Sequence, residues 1–108
     1  MAFKNTSGGG SVRNVIFQDG NTWYGAALEF NIVETGDSPQ EVMLLLDEAI
    51  KGYVEAAGKT KSSIGVLNQE IDPEYEKLWF AGSEKGTQIG EGGKKIYSTS
   101  SQSIAALV

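Results

Sequence analysis

Residues Ser38 to Ala57 carry the start, stop and spacing signals of one long amphipathic helix. The hydroxyl of Ser38 can accept a hydrogen bond from a free backbone N–H of the first turn, and Glu41 completes a capping box. Pro39 stands at the first helical position, where its missing N–H costs nothing, and Gly58 predicts a left-handed stop. Apolar residues recur at helical steps of three and four: Val42, Leu45, Leu46, Ala49, Ile50, Tyr53 and Ala57.

Met43 and Leu44 widen this apolar stripe beyond one face of the helix. Covering it therefore requires a sheet and something more, such as the C-terminal segment or a second subunit. The charged residues of the helix are typical of a solvated helix face rather than of a catalytic site. They are Asp47, Glu48, Lys51 and Glu55.

Composition excludes many functions. The 108 residues suffice for one domain with one core. The chain has no cysteine and no histidine, which excludes disulfides, thiol nucleophiles, histidine general bases and imidazole zinc sites. Its net charge of -5 repels phosphate backbones and suits a basic protein partner. No apolar run is long enough for a membrane span and no signal peptide is recognisable, so we expect a cytoplasmic protein that does not enter membranes.

Three strands are predicted before the helix, at Val12 to Gln18, Thr22 to Glu29 and Ile32 to Thr35. The turn Asp19 to Asn21 and the pair Phe30 and Asn31 connect them. Such short connections permit only antiparallel neighbours, because parallel strands need long crossovers. The predicted fold class is therefore α+β, an antiparallel three-stranded meander with the long helix packed on one face.

The second strand has small residues at its centre, Gly25 and Ala26, which would let a helix approach closely. Trp23 and Tyr24 in the same strand allow two interpretations. They either pack within the sheet, as strand aromatics commonly do, or form an exposed recognition pair.

Beyond the long helix, Ile64 to Leu67 is predicted to be a short fourth strand, placed beside the first and parallel to it by the helical crossover. Asp72 and Pro73 then repeat the cap and proline signal of a helix start. This second helix is short, and Trp79 would anchor it either in the core or in a partner. The residues on its apolar face are Tyr75, Leu78 and Trp79.

The C-terminal part is rich in glycine and serine. Gln88 to Gly90 and Lys94 to Tyr97 flank a Glu-Gly-Gly turn and predict a hairpin, or else this part is partly disordered. The last residues, Ile104 to Val108, either dock on the helix stripe or fray. The predicted organisation is a flexible leader (1–11), a folded domain (12–80) and a C-terminal extension (81–108).

A metal-dependent nuclease is one reading of the order strand, strand, strand, helix, strand. It would need carboxylates converging from several elements, and Asp19 with Asp47 or Glu48 could supply two of them. The segment Ile64 to Leu67 has no carboxylate, and the glycine-rich segments lack the order of a P-loop. We therefore assign no catalytic, cofactor-binding or metal-binding residue and expect no enzyme activity.

The stretch from Asn14 to Gly58 resembles the HicB family of bacterial type II antitoxins. The resemblance rests on Trp23-Tyr24, on the run Val33 to Glu41 through the Gly-Asp-Ser step, and on the helix end Glu48 to Tyr53. It implies a partial RNase H-like β-β-β-α-β unit, within 12–80, that lacks nuclease activity. It also implies that the domain binds and neutralises HicA, a small basic toxin that cleaves RNA.

The DNA-binding module that usually follows in this family is missing, because the C-terminal part is neither basic nor helical in pattern. Nucleic acid is therefore not expected as a partner. An orphan structural module that forms homodimers or higher oligomers through the helix stripe is the alternative, with a residual nuclease behind it. The candidate protein-binding residues, aromatic or acidic and close to the short strands, are Trp23, Glu29, Glu34 and Asp37.

Overall fold

The computed structural model describes residues 5–6, 9–59, 63–84, 86 and 88–107. Four antiparallel strands form one sheet in the order β3-β2-β1-β4, and three helices complete the fold. The strands are β1 (Ser11–Asp19), β2 (Thr22–Ala27), β3 (Ile32–Gly36) and β4 (Lys95–Ser103). The helices are α1 (Pro39–Gly58), α2 (Ser63–Leu67) and α3 (Pro73–Ser83). The predicted α+β class, with its antiparallel meander and long helix, is confirmed.

The meander turns where the sequence predicts it to turn. Gly20, with φ of 64°, closes the hairpin between β1 and β2, and Asn31 adopts the left-handed region with φ of 54° before β3. The second strand is shorter than predicted, because a 3-10 turn at Leu28–Phe30 replaces its last residues. Leu28 and Phe30 are both buried, so the turn contributes two side chains to the hydrophobic core.

Both ends of α1 are informative. The Ser38 hydroxyl accepts a hydrogen bond from the Glu41 N–H at 3.2 Å, as the capping box predicts. The Glu41 carboxylate reaches back one residue further than predicted, to the Asp37 N–H at 2.9 Å. The helix ends at Gly58, but the predicted left-handed stop is wrong. Lys59 caps the helix in right-handed geometry, and its N–H bonds to the carbonyls of the last turn.

The sheet has a helical layer on each face. α1 covers one face above β2 and β3, and its buried side chains pack with Val12, Ile16 and Phe30. α3 covers the other face, where Leu78 packs with Val15 and Phe17. Trp79, which the sequence left open between core and partner, contacts its own sheet, and its indole N–H donates to the Ser100 carbonyl at 3.0 Å.

The prediction of a fourth strand at Ile64 to Leu67 is wrong. These residues belong to the short helix α2, which the Tyr53 hydroxyl holds by donating to the Val66 carbonyl at 2.6 Å. The place beside β1 is taken by β4, which runs antiparallel to it rather than parallel. A four-residue apolar run fits a strand and a buried helical turn equally well, so only the tertiary context decides.

The predicted C-terminal hairpin is present. The Gly90 N–H bonds to the Lys94 carbonyl and the Ile96 N–H to the Gln88 carbonyl, both at 2.7 Å. The serine-rich stretch after it is β4, which completes the sheet. Ile104 follows and is fully buried in the α1 cluster, so the last described residues dock, and Val108 lies outside the described part.

The N-terminal leader is described only in part, since residues 1–4 and 7–8 of the predicted flexible segment lie outside the described residues. Asn5 is 1% exposed, and its side-chain amide donates to the Leu67 carbonyl at 3.0 Å. Its backbone is held by the Asn68 side chain through two hydrogen bonds of 2.7 and 2.9 Å. At this position the chain is therefore anchored to the segment after α2.

Candidate protein-binding surface

The acidic side chains concentrate on one unit of the fold, the β3–α1 unit of residues 32–58. This unit has six acidic residues and one basic residue, Lys51, so its net charge is -5. The remaining eight acidic and eight basic residues of the chain cancel, and the whole net charge therefore lies on this unit. Its acidic residues, all exposed except the half-buried Glu34, are Glu34, Asp37, Glu41, Asp47, Glu48 and Glu55.

The outward side of α1 also carries apolar side chains. Met43 is 43% and Leu44 is 62% exposed. The sequence predicts that this part of the stripe needs an extra cover, and the docked C-terminal residues pack on the buried side of α1 instead. Met43 and Leu44 lie one helical turn before Asp47 and Glu48, so exposed aliphatic groups and carboxylates adjoin each other on this helix.

An aromatic pair lies on the α1 face of the sheet, at the end where β1 and β2 turn. Trp23 is half-buried, and the ring of Tyr97 from the start of β4 meets it edge-on at 5.7 Å. Tyr97 is 50% exposed. Tyr24, which follows Trp23 in the sequence, points to the opposite face, and its ring stacks on that of Phe17 with a centroid distance of 5.2 Å. The Trp23-Tyr24 dipeptide is thus divided between the two faces, and its first member contributes to an exposed aromatic surface.

Two of the four predicted contact residues, Glu34 and Asp37, lie on or directly after the edge strand β3, and Trp23 lies on the neighbouring strand β2. Trp23 pairs with Gly36 and so lies next to Asp37, which is exposed. Glu34, two residues before Gly36 on the same face, pairs with Gly25. These three side chains border the N-terminal half of α1, and they adjoin its acidic surface.

Glu29, the fourth predicted residue, has a different role in the structure. Its carboxylate accepts from the Arg13 backbone N–H and from the Arg13 side chain, each at 2.7 Å. Arg13 also binds Glu76 at 2.9 Å and lies 5.3 and 5.6 Å from the ring centroids of Trp79 and Phe80. Glu29 thus belongs to a partly buried ion-pair network within the chain, in which Arg13 joins the meander to α3.

The electrostatics of this network follow from its contacts. Burial alone would lower the pKa of Arg13, but the hydrogen bonds to Glu29 and Glu76 outweigh burial and raise the pKa above its ordinary value. Arg13 therefore stays charged at every pH of interest. No sequence spacing predicts this network, because its members lie on β1, the 3-10 turn and α3.

A concave region lies on the opposite face of the sheet, between α3 and the C-terminal hairpin. It is an open groove of about 690 Å³ whose lining includes Phe80, Gly92 and Lys94. Lys94 is paired with Glu74 at 3.0 Å. The groove is lined by two carboxylates and two lysines, so it has no single electrostatic preference.

The residues weighed for a nuclease are all on the surface. Asp19 is exposed at the end of β1, and Asp47 and Glu48 are exposed on α1. The described residues contain no group of three or more acidic side chains that could hold a metal ion. Within the same residues, no helix is long and apolar enough to cross a lipid bilayer.

Comparison of the chain with protein-family models, with curated proteins and with solved structures found no match.

Proposed function

We propose that this chain is a cytoplasmic, non-enzymatic protein-binding domain of the HicB antitoxin type, which neutralises a small basic toxin that cleaves RNA by binding to it. The observation that carries the proposal is the charge distribution. The β3–α1 unit holds the whole net charge of -5. Its exposed carboxylates lie on the same helix as the exposed side chains of Met43 and Leu44. An RNA-cleaving toxin needs a basic surface to hold its substrate, and an acidic surface competes for it.

The resemblance to the HicB family supports the same function. The resembling stretch, Asn14 to Gly58, corresponds to one structural unit, the meander with its capped helix. The Gly36-Asp37-Ser38 step is the junction at which β3 enters α1, and the Glu41 carboxylate binds the Asp37 N–H there. In this proposal the acidic residues of the motif contribute to the edge of the binding surface.

The test is binding to the product of the neighbouring gene, if that product is a small basic protein. Co-purification, a thermal shift of both chains and loss of the partner's RNA cleavage on mixing are the expected results. Because charges at an exposed surface are screened by salt, binding should weaken as ionic strength rises. A neighbour that cleaves RNA equally well in the presence of this chain would refute the proposal.

A matched pair of double variants locates the surface. Glu48→Lys with Glu55→Lys reverses two charges on the outer side of α1. The control, Glu70→Lys with Glu84→Lys, makes the same change in net charge at exposed positions outside the β3–α1 unit. We expect the α1 variant to bind at least about tenfold more weakly and the control to change little. Equal effects of both would mean that only overall charge matters, and the surface assignment would be wrong.

The residues predicted from the sequence can be separated in the same assay. Reversing the charges of Glu34 and Asp37 should weaken binding, because both border the acidic surface. Trp23→Ala should weaken it as well, through loss of apolar contact. Glu29→Gln should act through stability instead, since Glu29 is bonded to Arg13. Unchanged binding after reversal at Glu34 and Asp37 would remove both from the interface.

A further inference from the structure

The two edges of the sheet differ in length and charge. β3 is a five-residue strand that contains Glu34, and α1 with its carboxylates lies directly above it. β4 is nine residues long, and from Ile96 to Ser103 it contains no charged residue and no proline. Natural edge strands are protected from pairing with other chains by short length, charge, proline or a covering segment. β3 has the first two of these features. Most of β4 lacks the first three, and among the described residues the helices contact its faces rather than pair with its outer edge.

Only the start of β4 is covered by the described residues. The hairpin segment that includes Gln88 bonds to β4 at Lys94 and Ile96. Beyond this point the strand pairs with β1 on its inner side, with Ser100 opposite Asn14 and Gln102 opposite Val12. A register shift between Ile16 and Phe17 marks a bulge that separates the covered start of β4 from the regular stretch after it.

The direction of the backbone groups along β4 follows from the pairing. The Ile104 N–H bonds to the Gly10 carbonyl, toward β1. In an antiparallel ladder successive residues direct their N–H and C=O groups to opposite sides. Gln102 and Ser100 therefore also face β1, and the residues between them face outward. The outward donors and acceptors belong to Thr99, Ser101 and Ser103.

We infer that this edge of β4 pairs with the same edge of a second copy of the chain, antiparallel and around a two-fold axis at Ser101. In this register Ser101 lies opposite Ser101 of the other copy, Thr99 lies opposite Ser103, and by symmetry Ser103 lies opposite Thr99. These three pairs each exchange two backbone hydrogen bonds, so every outward group of the stretch has a partner. The two four-stranded sheets become one continuous eight-stranded sheet.

A second copy fits this edge better than it fits the β3 edge, for an electrostatic reason. α1 starts above β2 and β3, where Gly25 and Gly36 both face Val42, and only further along the helix does it meet β4, where the Gln102 amide donates to the Asp47 carboxylate at 3.4 Å. Pairing through β4 keeps the acidic residues at β3 and at the start of α1, Glu34, Asp37 and Glu41, away from those of the other copy, whereas pairing through β3 would bring them together. The side chains that meet across the axis are hydroxyls, which form cross-strand hydrogen bonds without charge.

This dimer leaves the acidic surface of α1 accessible, and its existence does not depend on the proposed toxin-binding function. The toxin-binding test uses a second protein, and the dimer test uses this chain alone. The failure of one is therefore distinguishable from the failure of the other.

Sedimentation equilibrium of the full chain over a wide concentration range is the test. A monomer has a mass of 11.5 kDa, and we expect a species of twice that mass to form as concentration rises. Ser101→Pro removes an outward N–H at the axis in both copies and leaves the bonds to β1 in place, as edge strands tolerate. It should weaken dimerisation by at least about tenfold. The matched control is Ser101→Ala, which keeps the N–H and should change the dimerisation constant little.

A second variant distinguishes weaker dimerisation from a folding defect caused by the proline. Ser101→Lys places two like charges opposite each other at the axis and should also weaken the dimer by about tenfold or more, with an unchanged circular dichroism spectrum. Hydrogen exchange should show amide protection of Thr99, Ser101 and Ser103 that increases with protein concentration. A chain that stays monomeric at millimolar concentration overturns the inference. So does a dimer that both variants leave intact, or one that only Leu44→Lys disrupts.

Discussion

Gly25 is the point of closest approach between the sheet and α1, and replacing it with alanine tests the packing of the whole domain. A Cβ atom at this position would lie 2.6 Å from Val42 Cγ1, 3.1 Å from Ile16 Cδ1 and 3.3 Å from Leu46 Cδ2. All three neighbours are buried, at 0%, 4% and 3% exposure. We expect Gly25→Ala to destabilise the protein, because the new methyl group has no space.

The magnitude follows from these distances. Carbon atoms in contact lie about 3.5–4.0 Å apart, so Val42 must yield by roughly 1 Å. Val42 is β-branched and stiff at χ1 within a helix, so the shift must come from the helix backbone. Overpacking of this kind costs about 1–3 kcal/mol, and alanine recovers about 0.5–1 kcal/mol of glycine's entropic cost. The net loss is about 1–2 kcal/mol, or roughly 4–16 °C in Tm.

Urea and thermal unfolding, followed by circular dichroism, measure this loss. The control is Gly52→Ala on the exposed side of α1, where a Cβ meets nothing within 4 Å. This control should gain up to about 1 kcal/mol of helix stability. The two glycines thus predict opposite signs for the same chemical change.

A double-mutant cycle with Val42→Ala identifies the cause. Val42→Ala alone should cost about 2 kcal/mol through the cavity it leaves, and the added methyl at position 25 should fill part of that space. The double variant should therefore be about 1 kcal/mol more stable than the sum of the single effects. Additive effects, or a Gly25→Ala variant as stable as the original chain, would refute the packing described for β2 and α1.

Three further predictions concern charge, capping and pH. Arg13→Gln should lower the free energy of unfolding, measured in urea, by about 2–4 kcal/mol, because it leaves the carboxylates of Glu29 and Glu76 without their shared cation. A loss below about 0.5 kcal/mol would show that the network is only a surface feature. Ser38→Ala should cost about 1 kcal/mol and Ser38→Gly only a few tenths, and equal losses would argue against a side-chain cap. Burial, followed by neighbouring carboxylates, raises the pKa of Tyr75 above its ordinary value of 10.0. The unfolded chain therefore loses this proton first, and the free energy of unfolding should fall as pH rises above about 10. Tyr75→Phe should make this fall less steep, and an unchanged pH dependence would assign the alkaline loss of stability to other groups.

Local signals were sufficient for the N-terminal half of the fold. The meander, its turn at Gly20 and the cap at Ser38 depend on backbone preferences and hydrogen bonds within a few residues, and all were predictable. The candidate surface was predictable in part. Glu34 and Asp37 lie at its border as their positions beside the helix start suggest, whereas Glu29 is occupied by Arg13. A carboxylate that is bonded internally has the same sequence signature as one that faces solvent.

The tertiary structure alone decided what lies beside β1. A four-residue apolar run at Ile64 to Leu67 has no intrinsic preference strong enough to choose between strand and helix. The uncharged serine-rich stretch of β4 lacks the apolar alternation that marks a strand, and it pairs because β1 offers a free edge. The capped acidic helix and the three strands before it could be predicted from residues 12–58 alone, because their signals are local. The position of β4 and the ion-pair network of Arg13 arise from contacts between residues far apart in the chain, and only the folded chain brings these together.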